Sequence, residues 1–319
     1  MVVESAVIGV DVGGTKILSA ACDRIGQLLS ENSRTTNAHE APEKVIGRIA
    51  DSINQVIAES RQSISAVGIA VPGPVNVERG IALNAVNLGW KNVPLRDLLR
   101  PHLIDPSLPV FLQNDVNGLA LGELVFGAAR DTTDFVYLAL GTGLGGGAVV
   151  NGQVINGVTG SAMEVGHIVI VPEGRPCTCG QRGCVEQYVS GHGLIAGAIE
   201  HGIQPENGET VNTHYLIARA KAGDERALTL MREAADALGI AMAMCAMVLN
   251  PSMIVIGGGL GLACYDLIVP QAEQVFRNRL IADIGQTVRV VPSQVSSSAL
   301  GSAALAWQSL ENEYLRRLS

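Results

Sequence analysis

The chain has 319 residues, of which 47% are hydrophobic and 16% charged, and its formal net charge is −8. That length and apolar content suffice for a large core and two domains, which excludes a disordered or low-complexity protein. The acidic balance, without any run of Lys or Arg, excludes broad binding to nucleic acid or to an anionic membrane surface. The first residues, MVVESAVIGVDVGGTK, lack the basic and apolar regions of a signal peptide, and no long uninterrupted apolar stretch reads as a membrane span. A cytoplasmic protein is expected. Cys22, Cys245 and Cys264 stand alone in apolar surroundings, as reduced buried thiols do.

In chain order, Ala6 to Val10 is a short β-branched run that predicts a buried strand. Asp11 to Lys16 follows with Gly13 and Gly14, and Ile17 to Ala21 resumes as a strand, so this is a hairpin turn without Walker A spacing. Val45, Ile49, Ile53, Val56 and Ile57 share one face of a predicted helix. Gly68 to Asn76 reads as a buried strand ended by a Pro-Gly-Pro turn that brings backbone close to a cleft. Asn84, Asn87 and Trp90 come next, with Trp90 assigned to the core. Val110 to Leu112 predicts a strand and Val116 to Phe126 a helix, placing Asn114 and Asp115 at the junction. There Asp115 can serve as a helix N-cap or as the acceptor of a substrate hydroxyl proton.

Phe135 to Leu140 predicts another strand, followed by the glycine loop 141–147. Gly141 to Gly146 matches G-x-G-x-x-G, but a dinucleotide fingerprint requires a helix next. Ala148 to Val150, the Asn151-Gly152 pair and Gln153 to Ile155 instead predict a strand, a type I′ turn and a strand. A long apolar helix over 228–249 precedes the strand Met253 to Ile256 and a third glycine loop, Gly257 to Gly261. Alternating strands and helices predict an α/β fold. Glycine turns expose concave rows of backbone N–H, to which Thr15, Lys16 and Thr142 add side-chain donors, so the three loops together favour a nucleotide.

Between these segments His167, Cys177, Cys179 and Cys184 follow the spacing H-x9-C-x-C-x4-C. One imidazole and three thiolates complete a tetrahedral structural zinc site and leave no position for a reactive water. Glu164 and Glu186 flank it, so a zinc staple would hold both carboxylates still. With Asn87, Asn114, Asp115 and His167 they suit a hydroxyl-rich ligand, because each sugar hydroxyl both donates and accepts.

These residues resemble the ROK family of sugar kinases, a branch of the actin-like ATPases, over essentially the whole chain. The carriers are Asp11-Val-Gly-Gly-Thr-Lys16, Val71-Pro-Gly-Pro-Val75, Asn114-Asp-Val-Asn117 with Gly122-Glu123, Leu140-Gly-Thr-Gly-Leu-Gly-Gly-Gly147, Glu164-Val-Gly-His167 and Cys177-Thr-Cys-Gly-Gln-Arg-Gly-Cys-Val-Glu186. Glu186-Gln-Tyr-Val-Ser-Gly191 and Asn87-Leu-Gly-Trp90 look most like the bacterial glucokinases. Two departures stand out: Met163 occupies a position where many members carry glycine, and 87–90 is one residue shorter than the Asn-Leu-Pro-Gly-Trp form.

The resemblance implies a two-domain, actin-like (ribonuclease H-like) α/β fold. A small domain is expected over 1–113, joined by a C-terminal helix over about 304–319, and a larger domain over 114–303 carries the zinc. It further implies ATP and Mg²⁺ at Asp11, Gly13, Gly14, Thr15, Lys16, Thr142 and Gly143, with adenosine near Gly258 and Gly259. Asp115 would be the catalytic base, and Gly73, Asn87, Asn114, Glu164, His167 and Glu186 would surround a hexose. The expected reaction is transfer of the ATP γ-phosphate to the 6-hydroxyl of glucose, as in glycolysis. The alternatives are an N-acetylmannosamine, N-acetylglucosamine or fructose kinase, or a sugar-sensing transcription regulator, against which the early first strand argues. A homo-oligomer, dimer or tetramer, without nucleic-acid or membrane partners, is expected.

Overall fold

The computed structural model describes residues 5–205, 210–281, 284 and 287–318. The chain divides into two compact units, one of residues 1–133, 152–162 and 294–319, the other of 134–151 and 163–293. The boundary expected at 113/114 therefore falls later. The reason is that the strand and helix following residue 110 are docked on the first unit by pairing and close packing.

In chain order the elements of the first unit are β1 (Ser5–Val12), β2 (Lys16–Cys22), β3 (Leu28–Thr35), α1 (Pro42–Ser60), β4 (Ser63–Val71), β5 (Val75–Asn76), β6 (Ile81–Ala85), β7 (Trp90–Val93), α2 (Leu95–Leu99), β8 (Val110–Asn114) and α3 (Asp115–Val125). The second unit contributes β9 (Phe135–Leu140) and β10 (Leu144–Val150). After the short β11 (Gln153–Val154), it continues with α4 (Glu186–Val189), α5 (Gly191–Glu200), α6 (Thr213–Lys221), α7 (Glu225–Leu249), β12 (Met253–Gly257), α8 (Gly259–Ala263), α9 (Tyr265–Arg277) and β13 (Arg289–Pro292). Helix α10 (Ser298–Leu318) returns to the first unit.

The first sheet has the order β3-β2-β1-β4-β8, with β1, β4 and β8 parallel. Alternation along β1 sends Ile8, Val10 and Val12 into a core with Val45, Ile49 and Ile53 of α1, and Val7 into a second cluster with Ala303 and Trp307 of α10. Trp90 is buried in the first of these clusters, as expected. On the α10 face two glycines are required. A Cβ on Gly9 would lie 2.0 Å from the Ala299 carbonyl oxygen, and one on Gly68 1.9 Å from that of Ser302. The Ser302 hydroxyl donates to the Val10 carbonyl at 2.8 Å, so helix backbone rests directly on the sheet. Helix α10 starts at Ser298, before the expected residue 304, because Ser, Ala and Gly carry its opening turns against those glycines.

In the second unit the strands run β10-β9-β12-β13, with β12 parallel to both its neighbours. Residues Gly145 to Gly147 continue the antiparallel ladder opposite Ala139 to Tyr137, so only 141–143 form the turn that was expected over 141–147. Asn151 and Gly152 have φ of 51° and 72°, as a type I′ pair requires. Gly257 likewise ends a strand and Gly259 opens a helix, so the third glycine loop narrows to Gly258. Helix α7 is capped by the Asp224 carboxylate and ended by Asn250 in the left-handed region. Among the described residues no helix is long and apolar enough to cross a membrane.

Candidate active site

Parallel strands bring their carboxyl ends to one edge of a sheet, where α/β proteins bind ligands. In the first unit that edge carries Asp11 at the end of β1, Gly73 just beyond β4, and Asn114 at the end of β8, with Val71 opposite Asn114. The 13–16 turn closes through Gly13 N–H to the Lys16 carbonyl at 2.9 Å and is braced by the buried Thr36, whose hydroxyl donates to the Gly13 carbonyl at 2.7 Å. Thr15, Lys16 and Asn87 are exposed. A Cβ on Gly14 would lie 3.1 Å from the Asn87 carbonyl, so turn and Asn87 segment are close neighbours.

Asn114 resolves the choice of helix cap. Its side-chain oxygen accepts the Val116 and Asn117 N–H groups at 3.0 and 3.1 Å, which makes Asn114 the N-cap of α3. Its amide group donates to the Gly73 carbonyl at 3.1 Å and to Asp115 Oδ1 at 2.8 Å. Gly73 has φ of 80°, and a Cβ there would meet the Asn84 carbonyl at 2.3 Å, so this approach needs glycine. Asp115 Oδ1 also accepts the Val116 N–H at 2.9 Å, so the carboxylate is held in place while Asn114 serves as the N-cap. Burial pushes its carboxyl up to about 6, and nearby Asp11 adds to the effect, against the lowering hydrogen bonds from the Val116 backbone and Asn114. Burial also raises the Asp11 carboxyl, opposed by a hydrogen bond with Ser298 and the charge of Lys16. Ser298 lies far along the chain in the first turn of α10, and nothing local in the sequence marks it as a partner of Asp11.

In the second unit, β9 and β12 are parallel with Gly257 opposite Ala139, so the 141–143 turn and Gly258 emerge at the same edge. Gly258 has φ of 79°, and a Cβ there would lie 2.2 Å from the Leu140 carbonyl, while Gly259 has open space beside it. Thr142 is exposed. The Glu186 carboxylate accepts the Leu144 N–H at 2.9 Å, and a Cβ on Gly143 would sit 2.5 Å from the same oxygen. Glu186 thus braces the turn carrying Thr142 and Gly143, a contact that sequence spacing does not reveal.

Glu164 is exposed, and its carbonyl accepts the His167 N–H at 3.1 Å. Met163 has φ of 65°, a left-handed conformation that costs a residue with a Cβ about 1–2 kcal/mol. The bridge between Val169 and Cys184 folds the histidine segment back on the last cysteine, while Cys177 N–H donates to the Gln181 carbonyl and closes the intervening loop. His167 Nδ1 lies 3.6 Å from Cys177 Sγ, Cys179 Sγ lies 3.6 Å from Cys184 Sγ, and all four ligand atoms fall within 4.8 Å of one another. Bonds of about 2.3 Å to sulfur and 2.0–2.1 Å to nitrogen place tetrahedral ligands roughly 3.5–3.8 Å apart, so the donor set fits zinc in chemistry and scale. The thiols are unpaired by disulfides. Gln187 Nε2 donates to Cys177 Sγ at 3.5 Å, a contact that orients the thiolate.

The ROK family pattern matches residues 7–309. The chain belongs to the ROK family. A glucokinase from Halalkalibacterium halodurans is 35% identical to this ROK chain over 316 residues, covering 94% of each. A ROK hexokinase from Thermus thermophilus superposes with a TM-score of 0.85 at 31% identity, over 96% of this chain and 99% of the other. A ROK glucokinase from Streptomyces griseus, solved with glucose and AMPPNP, superposes with a TM-score of 0.79 at 33% identity, over 95% and 99%. Its ROK membership establishes the actin-like α/β fold for this chain.

Proposed function

We propose that this ROK chain is an ATP-dependent glucokinase that transfers the γ-phosphate to the 6-hydroxyl of glucose. The observation that carries the reading is Asp115, a carboxylate fixed by Asn114 at the carboxyl end of a parallel sheet beside Asp11, with its pKa raised to about 6. A base poised near neutral pH is ionised in the cell yet basic enough to take a hydroxyl proton as that oxygen attacks phosphorus. The identity with a glucokinase over nearly the whole length supports the sugar kinase reading.

Asn87, Gly73, Asn114, Glu164, His167 and Glu186 are assigned to the sugar, and the turns holding Gly13 to Lys16, Thr142, Gly143, Gly258 and Gly259 to ATP. Asp11, whose carboxyl is raised by burial against the lowering effects of Ser298 and Lys16, offers an oxygen ligand to a hard divalent cation, and Mg²⁺ bound there would restore its charge and neutralise phosphate charge. The His167, Cys177, Cys179 and Cys184 cluster is assigned to a structural zinc. A cytoplasmic homo-oligomer acting in carbohydrate metabolism completes the proposal.

The test is a coupled assay of the purified protein with glucose and ATP, run beside Asp115→Asn and with glucose binding measured separately. Glucose-dependent ADP formation that is lost in Asp115→Asn supports the proposal. Glucose binding without any phosphoryl transfer in the wild type would favour a sugar-sensing regulator instead.

A further inference from the structure

The Gly122-Glu123 pair belongs to no step of the proposed chemistry, yet Glu123 is fully buried. Its carboxylate accepts backbone N–H groups from two distant stretches of chain: Ala128 at 2.7 Å, Gln294 at 3.1 and 3.3 Å to the two oxygens, and Val295 at 3.2 Å. Its own carbonyl accepts the Gly127 and Ala129 N–H groups at 3.1 Å. A Cβ on Gly127 would lie 2.1 Å from the carboxylate, so the turn after α3 is shaped around this side chain. Burying a carboxylate costs several kcal/mol unless its lone pairs are filled, and these backbone donors help to fill them.

The contact between α3 and α10 explains why such a brace is needed. Gly122 faces the Gly301 Cα, where a Cβ would lie at 3.0 Å, and a Cβ on Gly301 would lie 2.6 Å from the Gly118 carbonyl. Interdigitating side chains ordinarily fix the position of one helix along another. The glycine seam itself brings the backbones together without such knobs; beside it Leu121 packs with Ala304 and Leu305, and the Glu123 carboxylate adds a polar tether that resists sliding along the seam. Glu123 lies eight residues after Asp115 on the same helix, roughly 12 Å at 1.5 Å per residue, and any axial shift at one end appears at the other. On the opposite side of the brace, Gln294 and Val295 lead directly to Ser298, which hydrogen-bonds Asp11.

We infer that Glu123 is a positioning residue for phosphoryl transfer: its buried carboxylate locks α3 to the segment entering α10 and so fixes Asp115 relative to Asp11. The inference rests on the assignment of Asp115 as the base. Glu123→Gln keeps the shape but removes the charge that makes these acceptors strong. It is expected to lower kcat about 10- to 100-fold, the scale set by small misplacements of reacting groups, while KM for glucose and ATP stays within about threefold. A core control, Ile53→Val in α1, lowers stability while keeping kcat within about twofold.

A second measurement requires neither a variant nor activity. In the wild type, hydrogen exchange at the Val116, Asn117, Ala128, Gln294 and Val295 amides should report one cooperative opening, with protection factors within about threefold of one another. The inference is overturned if Glu123→Gln keeps wild-type kcat. It is equally overturned if those amides in the wild type differ in protection by more than about 100-fold. Wild-type glucose phosphorylation, assayed first, reports on the kinase proposal alone, so the two failures are distinguishable.

Discussion

As the proposed base, Asp115 carries opposed requirements of stability and chemistry. Its folded pKa of about 6 exceeds the ordinary 3.8, so the folded state binds its proton more tightly than the unfolded chain does. Stability is therefore unaffected below pH 3.8, falls as pH rises through the window between 3.8 and about 6, and stays reduced above it. A gap of about two pH units corresponds to at most about 3 kcal/mol. Asp115→Asn should thus raise Tm at pH 8 and leave it unchanged at pH 3.5, while cutting kcat by about 10²- to 10⁴-fold. A melting series across pH together with steady-state kinetics checks both halves, and an unchanged or lower Tm at pH 8 would contradict the burial argument. In the active wild type, kcat/KM should fall on the acid side with an apparent pKa near 6, as the free enzyme loses its base to protonation.

At the scale of elements, the close seating of α10 on the first sheet makes two glycine substitutions diverge. Gly68→Ala places a methyl 1.9 Å from the Ser302 carbonyl, and since backbone on both sides must move, a loss above about 3 kcal/mol is expected. Gly47→Ala, inside α1 with no atom within 4 Å of the new methyl, should instead add about 0.5–1 kcal/mol through helix propensity. Urea titration of both variants decides the matter, and similar effects from the two would refute the packing account. The same contacts show why some of the fold was unreadable in the sequence. β1, β9 and β12 announced themselves as β-branched runs, and the turns at 13–14 and 151–152 by their glycines, because those signals are local. The start of α10 and the seating of α3 on it depend on glycines meeting backbone far along the chain, and β8 is attached by pairing with β4, none of which a local periodicity records. In the candidate site, the metal cluster stood out by spacing, and Asp115 by its place at a strand-to-helix junction, where cap and base both stayed open. Ser298 and the Glu186 brace on Leu144 did not, because their partners come from remote segments.

For the whole molecule, the metal cluster and the sugar are expected to be coupled through Glu186, which follows the last cysteine and also braces the turn carrying Gly143. Protein purified without chelators should hold one zinc per chain. Cys177→Ala should release it and weaken glucose binding at least about tenfold before the fold is lost, since the core of the first unit is built without the cluster's residues. Elemental analysis and calorimetry of that variant test this, and undiminished glucose affinity without zinc would sink the coupling.

Glucose should also be preferred over sugars that differ at C2 or C6. Amides and carboxylates placed to pair with particular hydroxyls reject analogues that lack them by factors reaching about 10⁴, because each missing hydroxyl leaves a site group unpaired. A 2- or 6-deoxyglucose should accordingly bind or turn over poorly, the latter with no acceptor oxygen at all. An N-acetyl group at C2 makes a different demand if, as proposed, Glu186 and His167 face that carbon beside the Glu164 segment. There Met163 holds a left-handed conformation at a position where many family members carry glycine, so its side chain is retained despite backbone strain. If that side chain narrows the C2 end of the site, Met163→Gly should raise kcat/KM for N-acetylglucosamine relative to glucose by at least about tenfold, and Tm should hold or rise as the strain is relieved. Comparing kcat/KM for glucose, mannose, fructose, N-acetylglucosamine and N-acetylmannosamine in both proteins decides the point. A wild type that prefers an N-acetylhexosamine by tenfold would overturn the glucose assignment while leaving Asp115 and the kinase chemistry in place.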